Sequence, residues 1–426
     1  MRLPAFSQAN MGKMSGAMVT EVRDIPPCYA PRVAGRYFLQ IPGPTNVPER
    51  LLDAMRLGTI NPRGPEFPPL LAELQAGLRP LFGSSAGEIL LAAGSGSAAL
   101  EGALVNILAP GDEVLAVSNG FFGAWLAGLA GRLGLRVDHL EVPVGTAVPA
   151  ELIEARLRED TRRRVRAVTV VHNETSTGVR NDLAAVRAAL DAAGHPALLV
   201  ADTVSSLGCM DVCFDAWGLD VAATGSQKGL MLPPGLAISC VSERALAIGE
   251  RGGSPRGYYD WKELQAHRHG GLLPVTPPTP LLFGLRESLR MLEEEGLEHV
   301  FARHERLAEA VRSAVEAWGL SLLCRERAAA SSSVTAFEVP SGLSAAAVVE
   351  EARRASVEII TGIEPLHERL LRIGHMGWLN EAEVLGALGG IELGLQRAGL
   401  AVRPASGLQA AQEWFFESSA DRVPSR

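Results

Sequence analysis

The chain has 426 residues, 47% of them hydrophobic and 21% charged, which is more than one core ordinarily organises and too apolar for a disordered or fibrous chain. Acidic residues outnumber basic ones by 48 to 40, giving a formal charge of −8 without any Lys/Arg block, which argues against a nucleic-acid or anionic-membrane partner. No apolar run is long enough to span a bilayer, the N-terminus lacks a signal-peptide core, and Cys28, Cys209, Cys213, Cys240 and Cys324 fit neither a disulfide framework nor a zinc site, so a cytoplasmic enzyme with no metal centre is expected.

Residues 1–36 mix Gly, Pro, Ser and scattered charge without periodicity and read as an N-terminal arm. Short apolar runs then follow at 89–93, 113–118, 136–142, 165–172, 197–202, 219–224 and 235–241, with helix-like stretches at 97–108, 149–158 and 181–193 between them. That alternation predicts an α/β fold with a largely parallel sheet, whose ligands gather beyond the carboxyl ends of the strands. Residues 281–318 read as two helices broken near Glu295-Gly296. Strand candidates around 332–338, 356–361 and 369–373 and a helix at 381–398 complete a smaller α+β lobe. The expected division is an arm (1–36), a large domain (37–295) and a small C-terminal domain (296–426).

Three segments just past predicted strands carry chemical signals. Gly94-Ser95-Gly96-Ser97 opens a helix, where free backbone N–H groups, hydroxyls and the positive dipole end suit a phosphate. An ordinary N-cap turn explains the same residues, and a dinucleotide fingerprint competes, although Asp112 precedes its strand instead of ending it. Asp202 ends an apolar strand, where a carboxylate needs a partner; it serves either as a loop anchor or as the counter-ion of a protonated heterocyclic nitrogen. Only three lysines, Lys13, Lys228 and Lys262, stand against 37 arginines. Arginine neither deprotonates nor condenses with aldehydes, so a lysine retained in the apolar Gly/Pro-rich segment around 228 points to amine chemistry. A phosphate cradle, an aspartate at a strand end and a lysine after the next strand are the contacts that a pyridoxal phosphate ring requires.

From Phe38 to Glu417 the chain resembles the class V pyridoxal-phosphate aminotransferases of fold type I, in particular the alanine/serine-glyoxylate aminotransferase group. The resemblance rests on Pro42-Gly43-Pro44-Thr45-Asn46-Val47-Pro48, the Gly-Ser-Gly-Ser turn, Asn119-Gly120-Phe121-Phe122-Gly123, His172-Asn173-Glu174-Thr175-Ser176-Thr177-Gly178-Val179, Ala201-Asp202-Thr203-Val204-Ser205-Ser206, Ser226-Gln227-Lys228-Gly229 and Leu371-Arg372-Ile373-Gly374-His375-Met376-Gly377. It implies a large domain with a mostly parallel seven-stranded sheet, a smaller α+β domain, and pyridoxal 5'-phosphate as cofactor. It assigns Lys228 to condense with the cofactor and shuttle a proton, and Asp202 to pair with the pyridine nitrogen. Ser95, Gly96, Ser97 and Gln227 would hold the phosphate, Phe122 would stack on the ring, Val204 would line it and Thr175 would bond its phenolic oxygen. Arg372 would clamp the substrate carboxylate, with Gly43 beside the substrate. Thr276 would reach the phosphate of a neighbouring subunit, which implies a homodimer with shared sites.

Two departures from the family pattern stand near the expected site. Leu273 replaces a tyrosine found in many relatives, and Asn61-Pro62-Arg63 replaces Asp-His-Arg. The resulting expectation is transfer of an amino group from serine, alanine or aspartate to glyoxylate or another small 2-keto acid. A lyase or desulfurase reaction on the same scaffold, a transaminase of secondary metabolism with another donor and acceptor, and a non-catalytic cofactor-binding protein remain the alternatives.

Overall fold

The computed structural model describes residues 34–251 and 254–420; Lys13, Cys28 and the arm before residue 34 lie outside them. The apolar runs form a seven-stranded sheet of β1 (Glu88–Ala93), β2 (Glu113–Ser118), β3 (Arg136–Glu141), β4 (Val165–Val171), β5 (Leu198–Asp202), β6 (Val221–Gly225) and β7 (Leu236–Val241). Their spatial order is β1-β7-β6-β5-β4-β2-β3. Only β7 is antiparallel to its neighbours, β1 and β6. The runs are continuous because both faces of the sheet are covered. Ile89, Leu91, Leu115 and Val168 enter one core, while their neighbours Leu90, Val114 and Ala167 enter the other. Edge strand β3 reads Arg-Val-Asp-His-Leu-Glu, and none of its residues is fully buried.

This topology decides where the chemistry can sit. Strands β1, β2, β4, β5 and β6 all end at one edge of the sheet, and the β6–β7 turn lies there too because β7 reverses direction. The N–H of Gly94 donates to the carbonyl of Gly235 (2.9 Å), tying the end of β1 to that turn. The helices of the large lobe are α1 (Glu49–Met55), α2 (Phe67–Phe82), α3 (Gly96–Ile107), α4 (Phe121–Arg132), α5 (Ala150–Glu159), α6 (Leu183–Ala192), α7 (Glu243–Arg251), α8 (Trp261–His269) and α9 (Thr279–Glu295).

The small lobe carries an antiparallel sheet in the order β8-β10-β9, made of β8 (Val334–Glu338), β9 (Ile360–Thr361) and β10 (Leu370–Gly374). It packs with α10 (Leu297–Ala317), α11 (Ala345–Arg354), α12 (Glu381–Arg397) and α13 (Ser406–Ala420). The helical break falls at Gly296, but the two cores divide inside α10: Val300 belongs to the large-lobe core and Leu307 to the small one.

The start of the described chain differs from the expected division at 37. Phe38–Leu39 pairs in parallel with Val357–Glu358, and Phe38 packs on the small-lobe core. Pairing with that edge satisfies the Phe38 N–H on Ser356 and the Gln40 N–H on Glu358, both at 2.8 Å. The chain then passes between the lobes, where Gly374 donates to the Gln40 carbonyl (2.8 Å) and a Cβ at Gly374 would stand 2.1 Å from the Ile41 carbonyl oxygen. Gly374→Ala must push this strap away, so it should cost about 1–3 kcal/mol, read as a lower melting temperature.

Candidate active site

Lys228 lies in the β6–β7 turn, whose shape is held by the Met231 N–H on the Lys228 carbonyl (2.9 Å). The strap supplies its cover: the Lys228 amine donates to the Pro42 carbonyl, and Thr45 donates its hydroxyl to the Lys228 carbonyl (3.3 Å). Gly43, at φ +98°, packs so closely that a Cβ would come within 2.5–2.8 Å of the lysine Cδ, Cε and Nζ. Part of the side chain stays exposed, yet the amine is enclosed. Burial therefore lowers its pKa from 10.5 to about 8, with the Arg372 cation adding to the shift and Asp202 opposing it.

Asp202 ends β5 and is 6% exposed. One carboxylate oxygen accepts the Val204 N–H (2.9 Å), and no Lys, Arg or His lies within ion-pair distance among the described residues. Desolvation is the largest influence and lifts its pKa to about 7; the nearby Glu174 raises it further, while the Val204 hydrogen bond and Lys228 oppose. A buried carboxylate held without a cation is a site prepared for one.

Helix α3 begins at Gly96 behind an extended Ser95 whose side chain makes no cap, leaving its first amides for another acceptor. Gln227 completes the cradle. A Cβ at Gly225 would stand 2.7 Å from both the Gln227 Oε1 and the Gly96 nitrogen, so glycine there preserves the gap between them. The Gln227 Oε1 is buried without a partner. Gly96, Ser97, Phe122, Thr175, Asp202, Val204, Gln227 and Lys228 line one cleft, with aromatic and apolar walls from Phe121, Trp125 and Leu100. The Phe121 and Phe122 rings meet edge to face, with centroids 5.3 Å apart.

The small lobe contributes Arg372 from β10, 4% exposed. Its Nε donates to the Thr361 carbonyl (3.0 Å) and its Nη1 to the Thr175 carbonyl (3.3 Å), and no carboxylate pairs with it among the described residues. Burial lowers its pKa to about 10, against the pull of Glu174. This guanidinium is held in place by two carbonyls yet lacks a counter-charge, which suits it to an incoming carboxylate.

Not every expected residue lines the cleft. Ser95 stands at the α3 cap outside the lining set, and Thr276 is exposed on the loop before α9. Leu273 packs against the large-lobe core, giving the position an apolar task in place of a hydroxyl. Asn61 accepts the Arg63 N–H on its own side chain (3.0 Å), and neither lines the cleft. Conversely, Glu174 and Trp125 carry no role in the sequence reading. Trp125 lies two residues past the Asn119–Gly123 motif and outside it, while the fully buried Glu174 is an acid inside the His172–Val179 motif whose burial alone could have marked it.

Together these residues fit a planar heterocycle with a basic ring nitrogen and an anionic arm: an unpaired buried acid, an enclosed amine, an aromatic wall and an uncapped helix start. Residues 38–376 match the aminotransferase class-V family. The chain is 45% identical over 395 residues to the serine–glyoxylate aminotransferase of Methylorubrum extorquens, covering 91% of this chain and 98% of that one. It is 42% identical to the L-aspartate–glyoxylate aminotransferase of Paracoccus denitrificans, covering 89% and 96%. A solved alanine–glyoxylate aminotransferase from Nostoc superposes with a TM-score of 0.79 at 31% identity, over 86% of this chain and 97% of the other. With the fold, the cleft and this similarity along nearly the whole length in agreement, the chain belongs to the class-V aminotransferases.

Proposed function

We propose that this aminotransferase uses pyridoxal 5'-phosphate to move the amino group of a small L-amino acid to glyoxylate, forming glycine. Serine is the favoured donor, with alanine and aspartate as the others. The observation that carries the reading is the convergence of Lys228, Asp202 and the Gly96/Ser97/Gln227 cradle on one cleft, with the unpaired Arg372 joined to its wall through Thr175. Similarity to relatives named for glyoxylate supports the acceptor, and the highest identity quoted above, to a serine–glyoxylate enzyme, supports the donor.

When bound, the cofactor supplies the electron sink. Lys228 holds it at rest and then carries a proton to and from the substrate α-carbon on Nζ, a task suited to an amine whose pKa is lowered to about 8. Asp202 pairs with the ring nitrogen, a cation that draws the buried carboxyl back toward its ionised form. Gly96, Ser97 and Gln227 hold the phosphate, Phe122 and Val204 bracket the ring, and Thr175 bonds its phenolic oxygen. Arg372 orients the substrate carboxylate, with Gly43 leaving room beside Lys228. Two protomers share their sites through Thr276, whose exposure outside the cleft suits a residue serving a partner.

A panel of L-serine, L-alanine and L-aspartate with glyoxylate, read as glycine formed, tests this reading. Turnover with glyoxylate at background level for every donor contradicts the acceptor assignment. In the same assay Arg372→Gln should lower kcat/KM by about 100-fold, chiefly through KM, because two charge-assisted hydrogen bonds to the substrate carboxylate are lost.

A further inference from the structure

We infer that Glu174 is a positioning residue that sets the ring-stacking wall, the Thr175 turn and, through that turn, the Arg372 carboxylate clamp as one unit. The inference rests on the cofactor reading above and goes beyond it to a residue that contacts neither cofactor nor substrate.

Glu174 closes the short strand Asn173–Glu174, which follows β4 and pairs with Val179–Arg180. It is fully buried. Its two oxygens divide their work. Oε2 accepts the N–H groups of Phe122 (2.9 Å) and Gly123 (3.0 Å) at the start of α4. Oε1 accepts the Ser176 N–H (3.0 Å) and hydroxyl (2.6 Å). The Ser176 hydroxyl oxygen in turn accepts the Phe121 N–H (2.8 Å), closing a loop between the hairpin turn and the helix.

Each arm of this junction leads to a cofactor or substrate contact. The helix arm fixes the backbone of Phe122, which lines the cleft. The hairpin arm fixes the turn carrying Thr175, which lines the same cleft and whose carbonyl accepts from Arg372 (3.3 Å). The carboxylate also acts electrostatically on two of the charged groups of the site, Asp202 and Arg372. An ordinary helix cap would satisfy the α4 amides and nothing else. Here the four accepted hydrogen bonds bind the helix start to the turn, and a carboxylate is needed to accept all four. A glutamine offers one acceptor oxygen and one donor NH2: turned toward the helix, its NH2 opposes the Phe122 and Gly123 N–H groups, and turned toward the hairpin it opposes the Ser176 N–H and forces the Ser176 hydroxyl to rotate from donor to acceptor.

The test uses the holoenzyme with Glu174→Gln and, because that variant removes a buried charge and its fold is at risk, Ser176→Ala as well. Two quantities are measured that a merely structural cap would leave unchanged: the visible circular dichroism of the bound cofactor, and calorimetric binding of glycolate, which carries the carboxylate of glyoxylate without its carbonyl. Glu174→Gln should weaken glycolate binding about tenfold and reduce the dichroic band by about half, with Ser176→Ala showing the same pair of changes at about twofold to threefold in affinity. If Glu174→Gln does not fold, Ser176→Ala alone decides by the same two readouts. Folded variants that keep the parent's dichroism and glycolate affinity, with only a lower melting temperature, overturn the inference. A parent protein that binds no cofactor fails the underlying reading instead, so the two failures are distinguishable.

Discussion

Lys228→Ala abolishes amino transfer: with the cofactor supplied in excess, kcat falls by about 1,000-fold or more, the loss expected when the group that moves the proton is removed. Lys228→Arg fares no better, since a guanidinium neither condenses with the cofactor nor gives up a proton near neutral pH. The fold does not depend on this side chain. The turn is held by main-chain bonds at Met231 and by Thr45 on the Lys228 carbonyl, which the substitution leaves in place. Circular dichroism in the far ultraviolet should therefore be unchanged, so that the lost activity reports on the amine alone.

Asp202→Asn separates function from stability in opposite directions. It should lower kcat/KM by about 100- to 1,000-fold, because the charge opposite the ring nitrogen is gone and catalysis by a preorganised charge is of that size. In the cofactor-free protein the same change stabilises. The Asp202 carboxyl is raised in the fold from 3.8 to about 7, so the folded state retains a proton that the unfolded chain has already released. The resulting penalty is absent below about pH 4, grows as pH rises to about 7, and is constant above, reaching at most about 4 kcal/mol. Apo Asp202→Asn should thus melt at the parent's temperature near pH 4 and above it at pH 8. Added cofactor should reverse the order at pH 8, because only the parent gains an ion pair. Identical melting curves for the two apo proteins at pH 8 contradict the burial argument for Asp202.

The inner strands of the large lobe are legible in the sequence because a sheet covered on both faces writes itself as largely apolar runs, and each residue past a run's end then becomes a candidate for the cleft. Lys228 is legible for a different reason: rarity among 37 arginines gives a lysine chemical meaning. The same arithmetic hides Arg372, which only its motif singles out. Helix α4 is concealed by Gly123, Gly128 and Gly131, which dilute its apolar periodicity; its start is held by the Glu174 carboxylate, which no local pattern reveals. Helix α2 is obscured by Pro68, Pro69 and Pro80, two of them in the first turn, where proline is tolerated. The strap from Phe38 to Thr45 is illegible in principle: its place is set by a two-residue pairing with a strand more than 300 positions away and by the absence of a side chain at Gly374.

The proposed function stands or falls on whether Lys228, Asp202 and the cradle at α3 hold pyridoxal phosphate poised for amino transfer. The visible spectrum of the purified protein, recorded before and after L-serine, L-alanine and L-aspartate are added separately, tests it most directly. The expected result is a cofactor band that one donor converts to the aminated form and that glyoxylate then restores. A protein that stays colourless after pyridoxal phosphate is added, or a band that no donor alters, contradicts it.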